Sequence, residues 1–127
     1  MSDTSPKINI GVKTRFIVEQ SQPQDNRFVF AYTITLTNEG IEAAQLISRH
    51  WVITDANNET QEVKGLGVIG KQPLLAPGES YTYTSGVVIA TDTGTMSGSY
   101  QMRYPSNGLE FNAEIPIFGL VTPERLH

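Results

Sequence analysis

The sequence predicts an all-β protein: a sandwich of about seven antiparallel strands, of the immunoglobulin or fibronectin type III form. Three observations carry this. Apolar residues recur with a period of two, the strand period. Turn chemistry interrupts the chain at intervals of roughly ten to fifteen residues. No segment is a convincing helix; the best candidate, residues 41–47, offers about two turns, and isolated segments that short are marginal.

Residues 8–18 alternate, with Ile8, Ile10, Val12, Phe16 and Val18 on one side and Lys13, Arg15 and Glu19 on the other. Pro23-Gln24-Asp25-Asn26 then turns the chain. Residues 28–37 show the pattern most clearly: Phe28, Phe30, Tyr32, Ile34 and Leu36 form a core face, and Val29, Ala31 and three threonines form a solvated one. Asn38-Glu39-Gly40 and Asp55-Ala56-Asn57-Asn58 supply Asx-type turns. Further strands begin near Ala43, Glu59, Ser80, Thr95 and Leu109. The expected inward sets are Ile47, Trp51 and Ile53; Tyr81, Tyr83, Val87 and Ile89; Met96, Tyr100, Met102 and Tyr104; and Leu109, Phe111, Ala113, Ile115 and Ile117. Ala76-Pro77-Gly78-Glu79 suits a type II turn, with Pro fixing φ and Gly taking φ > 0. Asp92-Thr93-Gly94 is expected to close a hairpin. Asn107-Gly108 is the strongest turn signal, matching a two-residue type I′ hairpin. Pro116 cannot donate to a ladder, so the last strand should lie at an edge or bend there.

At 127 residues the chain reads as one domain, residues 1–127, without repeat, linker or low-complexity tract. With 39% hydrophobic and 17% charged residues it has the composition of an ordinary globular domain. No run approaches the ~20 apolar residues of a membrane span, and the first residues carry neither the basic nor the apolar block of a signal peptide. There are no cysteines, which excludes disulfides and thiolate metal sites and fits the cytoplasm. The net charge is -4 and the basic residues are dispersed, so no dedicated nucleic-acid surface is expected.

The most distinctive segment is Val63-Lys64-Gly65-Leu66-Gly67-Val68-Ile69-Gly70-Lys71-Gln72-Pro73. It contains Gly-x-Gly-x-x-Gly, the spacing that cradles a pyrophosphate in dinucleotide-binding folds. That mechanism needs a helix after the third glycine, because the helix amides and dipole hold the phosphates. Pro73 and the turn at Ala76-Pro77-Gly78 leave no room for one. The run also differs from the Gly-x-x-x-x-Gly-Lys-Ser/Thr loop, since Gln72 stands where a hydroxyl would bind magnesium. Two readings remain. The glycines permit φ > 0 or close backbone approach in a connection between strands, or their amides form an anion nest with Lys64, Gly65, Gly67, Gly70 and Lys71 as the phosphate-binding set.

Other chemistry is sparse. Ser48 and His50 share a strand face, but no orienting group or oxyanion hole accompanies them. His127 is terminal. There is no metal-ligand spacing, no cofactor motif and no complete catalytic set, so no catalytic or metal residue is assigned. Trp51 reads as core. Tyr81, Tyr83, Tyr100 and Tyr104 either pack in the sheets or line a groove.

Several ordered blocks resemble the ApaG family along essentially the whole chain. They are Phe28-Val29-Phe30-Ala31-Tyr32, Arg49-His50-Trp51-Val52-Ile53-Thr54, the glycine run itself, Leu75-Ala76-Pro77-Gly78-Glu79, Tyr83-Thr84-Ser85-Gly86, Gly94-Thr95-Met96-Ser97-Gly98-Ser99-Tyr100 and Ile115-Pro116-Ile117-Phe118. The resemblance implies a fibronectin type III-like sandwich and a small stand-alone bacterial protein, and it carries over no established enzymatic activity. With no complete catalytic or metal set, a non-enzymatic chain without cofactor is expected. It implies a binding or interaction module with a protein partner. It also implies links to cobalt resistance, magnesium efflux and diadenosine tetraphosphate metabolism. The alternative it carries is a sensor of pyrophosphate or dinucleoside polyphosphate that uses the loop at residues 65–70.

Overall fold

The computed structural model describes residues 7–126. Its strands are β1 (Ile8–Phe16), β2 (Phe28–Asn38), β3 (Ala44–Asp55), β4 (Thr60–Leu66), β5 (Leu74–Leu75), β6 (Ser80–Ile89), β7 (Thr93–Arg103) and β8 (Glu110–Val121). All pairings are antiparallel. One sheet has the order β1-β2-β6; the other has the order β4-β3-β7-β8, with β5 also on β3. The strand after β3 thus stays beside β3 instead of crossing to β6, as in fibronectin type III sandwiches. Short 3₁₀ turns at Val18–Gln20, Pro23–Asp25 and Pro123–Leu126 are the helical elements among the described residues. None of those residues lies in a helix long and apolar enough to cross a membrane.

The alternation of β2 is realised from Phe30 onward: Phe30, Tyr32, Ile34 and Leu36 are buried between the sheets. At the start of the strand Val29, expected on the solvated face, is buried and Phe28 is only half-buried. The threonines of the opposite face hydrogen-bond across to β6, Thr33 to Thr84 (2.8 Å), Thr35 to Thr82 (3.0 Å) and Thr37 to the Ser80 hydroxyl (2.7 Å). Cross-strand hydroxyl pairs of this kind stabilise a solvated sheet face. Trp51 is the centre of the core at 2% exposure. Its ring meets Tyr32, Tyr100 and Phe118 edge-on, with centroids 5.3, 6.2 and 5.9 Å away, arrangements that suit aromatic quadrupoles.

Two β-bulges correct the expected inward sets. In β3 the register moves from Leu46↔Met102 to Ser48↔Gln101, so Ile47 is the extra residue. One inserted residue reverses the phase of a strand. Ala44 and Leu46 therefore point inward before the bulge, Trp51 and Ile53 after it, and Ile47 is only half-buried. In β8 the register moves from Gly98↔Ile115 to Met96↔Phe118, which places the extra residue at Pro116–Ile117. Ile117 is consequently exposed, and Phe118 and Leu120 take the inward phase. β8 is an edge strand bent at its proline, as Pro116 implied.

Other expectations fail locally. β1 stops at Phe16, and the chain turns so that Ile17 is buried and Val18 exposed. Leu109 lies outside β8 and is exposed. Asp92-Thr93-Gly94 does not close a hairpin, because β6 and β7 belong to different sheets. At Asn107-Gly108 only the glycine has φ > 0. The loop is closed by Tyr104 and Leu109, so it is longer than a two-residue type I′ turn.

Candidate functional site

The glycine run is an interruption in an edge strand. β4 pairs with β3 up to Ser48↔Leu66, and β5 resumes on the same edge of β3 at Gln45↔Leu74. Residues 67–73 leave the ladder opposite Leu46 and the Ile47 bulge. The excursion is tied down at its base. The Gly67 amide and the Gln72 side-chain amide both donate to the Ile47 carbonyl, at 2.8 and 2.9 Å. The Leu46 amide donates to the Pro73 carbonyl, and Gln45 Nε2 donates to the Gln72 carbonyl.

Its tip is a hairpin. Val68 and Lys71 exchange both amide–carbonyl bonds, at 2.8 and 2.9 Å. The intervening residues, Ile69 and Gly70, have φ of 48° and 74°. Positive φ at both central positions marks a type I′ turn. Gly67, at φ 63°, approaches the returning chain so closely that a Cβ there would lie 2.3 Å from the Lys71 carbonyl oxygen. Val68 is thereby driven into the core, and Ile69 is thrown out at 61% exposure. Ile69 is the anomaly. A β-branched residue is a true outlier in the left-handed region, where asparagine is the usual choice.

The phosphate-binding candidates do not act alike. Gly65 lies in β4 opposite Arg49. Lys64, on the exposed outer face, pairs in register with His50. Lys71 closes the hairpin from the far side. The amides of Gly67, Val68 and Lys71 donate within the protein. Those of Ile69 and Gly70 have no partner among the described residues. No helix follows the loop, in keeping with Pro73.

The residue that sequence reasoning missed is Arg49. After the Ile47 bulge it shares the inward phase of Trp51 and Ile53. Its guanidinium lies against Gly65, where an added Cβ would sit 2.9 Å from Nη1. Nη1 donates to the carbonyls of Leu66 (3.1 Å) and Gly67 (2.8 Å), so Arg49 fastens the start of the excursion. A cation two residues before a core tryptophan on an alternating strand was the available signal. Beside it, Tyr83 and Tyr100 share a hydroxyl–hydroxyl hydrogen bond. Burial pushes the Tyr83 phenol up to about 12 and Tyr100 further still, so both are neutral at ordinary pH. The Trp51 indole N–H faces Tyr83 closely enough for a weak hydrogen-bonding contact that lowers the phenol slightly, but no acceptor among the described residues meets it with full hydrogen-bond geometry.

Ser48 and His50 share the outer face but engage other residues. Ser48 Oγ donates to Gln101 Oε1 at 2.9 Å. His50 Nε2 and Glu62 Oε1 are 2.8 Å apart, an exposed pair in which the ionised carboxylate can only accept. That bond, with the charges of His50 and Lys64, holds Glu62 below the ordinary carboxylate value. Among the described residues no group of three or more His, Asp or Glu side chains converges as a metal site. His127 lies outside the described residues.

Known proteins match this chain over nearly its full length. The ApaG domain profile covers residues 18–104. Protein ApaG of Pseudomonas aeruginosa is 57% identical over 127 residues, all of both chains. Protein ApaG of Thiobacillus denitrificans is 60% identical over 121 residues, 95% of this chain and 94% of that one. A crystal structure of an ApaA protein from Bordetella pertussis superposes with a TM-score of 0.90 at 48% identity, covering 93% of this chain and 95% of its own. The chain belongs to the ApaG domain family.

Proposed function

We propose that the chain is a non-enzymatic binding module whose partner surface is the hairpin at residues 68–71. The observation behind this is Ile69. Strain of the kind its backbone holds costs about 1–3 kcal/mol and persists where the surroundings over-determine it, characteristically at functional sites. An isoleucine 61% exposed recovers little of that cost by burial. Leu66 and Leu74, also exposed, flank the excursion along the same edge. An apolar crest on a rigid base suits a protein partner that offers a pocket for one aliphatic side chain. The engagement of Ser48 and His50 with Gln101 and Glu62, rather than with each other, supports a role without catalysis.

Ile69→Asn tests this in two directions at once. It relieves the left-handed strain, so stability rises by about 1 kcal/mol in urea unfolding. Capture of partners from cell extract by the immobilised chain falls by about tenfold. Ile117→Ser, at an exposed position on the other edge of the sheet, leaves capture unchanged. Equal capture by wild type and Ile69→Asn would sink the proposal.

A second reading, a pyrophosphate or nucleotide-polyphosphate sensor built on Lys64, Gly65, Gly67, Gly70 and Lys71, draws on the partnerless amides of Ile69 and Gly70. Titration with diadenosine tetraphosphate, ATP and pyrophosphate tests it. Saturable NMR shifts of those two amides support it, and unmoved amides at millimolar ligand remove it.

A further inference from the structure

Beneath the hairpin, the sandwich is open between the edges of β4 and β6. A cavity of about 170 Å³ lies there, bounded by both sheets and roofed by Val68 and Ile69. Its lining is unusual for its donors. Arg49 places a half-buried guanidinium at the wall, and no carboxylate of the described residues pairs with it. Among the described residues only Nη1 is engaged, with two carbonyls, while a guanidinium carries five N–H donors. Trp51 forms another wall, and among the described residues its buried Nε1–H, though it faces Tyr83, has no acceptor in full hydrogen-bond geometry. Tyr83 adds a hydroxyl. It and Tyr100 hold two protons but share one bond, so one O–H of the pair has no acceptor among the described residues. Among the described residues no aspartate or glutamate lines the cavity.

Buried donors without acceptors are costly, and native proteins rarely keep them without cause. Several around one cavity define the complementary ligand: an acceptor with negative charge. The count of cations narrows it further. Among the described residues Arg49 is the sole cation in the lining, which balances a monoanion and leaves a phosphate dianion under-compensated. The guanidinium fork matches the two oxygens of a carboxylate. The rest of the wall includes Val63, Val68 and Val87 and suits an alkyl stem. We propose that this cavity binds an aliphatic carboxylate, its oxygens on the Arg49 guanidinium and the Trp51 indole N–H, its stem against Val63, Val68 and Val87. The proposal stands apart from the crest, because the carboxylate is held by Arg49 and Trp51 on the inner side of the hairpin, and Ile69 only borders the cavity there. The carboxylate belongs either to a free short-chain acid or to a glutamate side chain.

The chain has a single tryptophan, so one indole N–H resonance reports on the site. The experiment titrates the full ¹⁵N-labelled chain with sodium butyrate, with butyramide, with a blocked glutamate tripeptide and with inorganic phosphate. Butyrate should shift the indole resonance saturably, and neutral butyramide, of the same shape, should bind about tenfold or more weakly. Binding of butyrate alone identifies a free acid, and binding of the tripeptide identifies a side chain; both support the proposal. Arg49→Met should abolish the shift. Because Arg49 also holds Leu66 and Gly67, Arg49→Lys serves as a second variant that keeps the charge, loses the fork and binds more weakly than wild type. An indole resonance unmoved by millimolar butyrate and tripeptide overturns the proposal. So does equal binding of butyrate and butyramide, which marks a merely apolar hole, or a response to phosphate alone.

Discussion

Two tight turns of this chain lie a few residues apart and obey different rules. At residues 76–79 each position has the residue its geometry asks for. Pro77 pre-sets φ, Gly78 takes φ 85°, the Glu79 amide closes the turn on the Ala76 carbonyl, and the Glu79 carboxylate accepts from the Ala76 amide at 2.7 Å. At residues 68–71 the first central position asks for asparagine or glycine and holds isoleucine. The first turn follows local rules at every position. Asn38 of β2 docks it, its carbonyl accepting from the Gly78 amide and its amide donating to the Glu79 carbonyl, and it brings the chain into β6. The second is imposed. The clamps from Arg49, Gln45 and Gln72 force the backbone into a shape that Ile69 resists. Local rules that fail while everything around them holds are the pattern expected where function, rather than folding, chose the residue.

Substitutions in the two turns separate imposed from intrinsic geometry. Gly67→Ala should have the largest effect. A methyl there combines the left-handed cost with a contact of 2.3 Å against backbone that cannot retreat. We expect a loss of about 3 kcal/mol or more in chemical unfolding. Gly70→Ala and Gly78→Ala come next. Neither added methyl meets an atom within 4 Å, so each should lose only the backbone term of about 1 kcal/mol. Nearly equal losses would mean that the hairpin tip carries no burden beyond its φ angles. A much larger loss at Gly70 would place further constraint in the tip itself. Glu79→Ala should be mildest, removing one exposed hydrogen bond worth about 0.5 kcal/mol. If it proves as damaging as Gly67→Ala, the contrast between the turns is wrong.

The sandwich was legible because each sheet has one wet face, so alternation carries through β2, β6 and most of β7. What escaped were the bulges. Nothing local to Ile47 announces that it is the extra residue; Met102 and Gln101 on the neighbouring strand decide it. At Pro116 the missing amide gave warning of an irregularity, but not that Ile117 would be exposed and Phe118 brought against Trp51. The site was legible in the same partial way. Pro73 was sufficient to rule out a phosphate-binding helix. Which glycine bears which duty depends on the close approach of Lys71 to Gly67 and of Arg49 to Gly65, and sequence spacing does not encode either contact. Arg49 itself was readable once the phase of Trp51 was taken seriously, since a charged residue was standing in an inward register.

The break between β4 and β5 has a consequence for the behaviour of this protein in crowded solution. Without the excursion, the β3 neighbour would run unbroken through residues 60–75, a long outer strand with its hydrogen-bonding groups open to the next molecule. Such edges recruit copies of themselves into growing sheets. The hairpin divides this one into two short pieces that cannot both align with a foreign strand, and Pro73 removes a donor at the junction. The same segment that displays an apolar tip therefore also protects the protein from edge-to-edge aggregation.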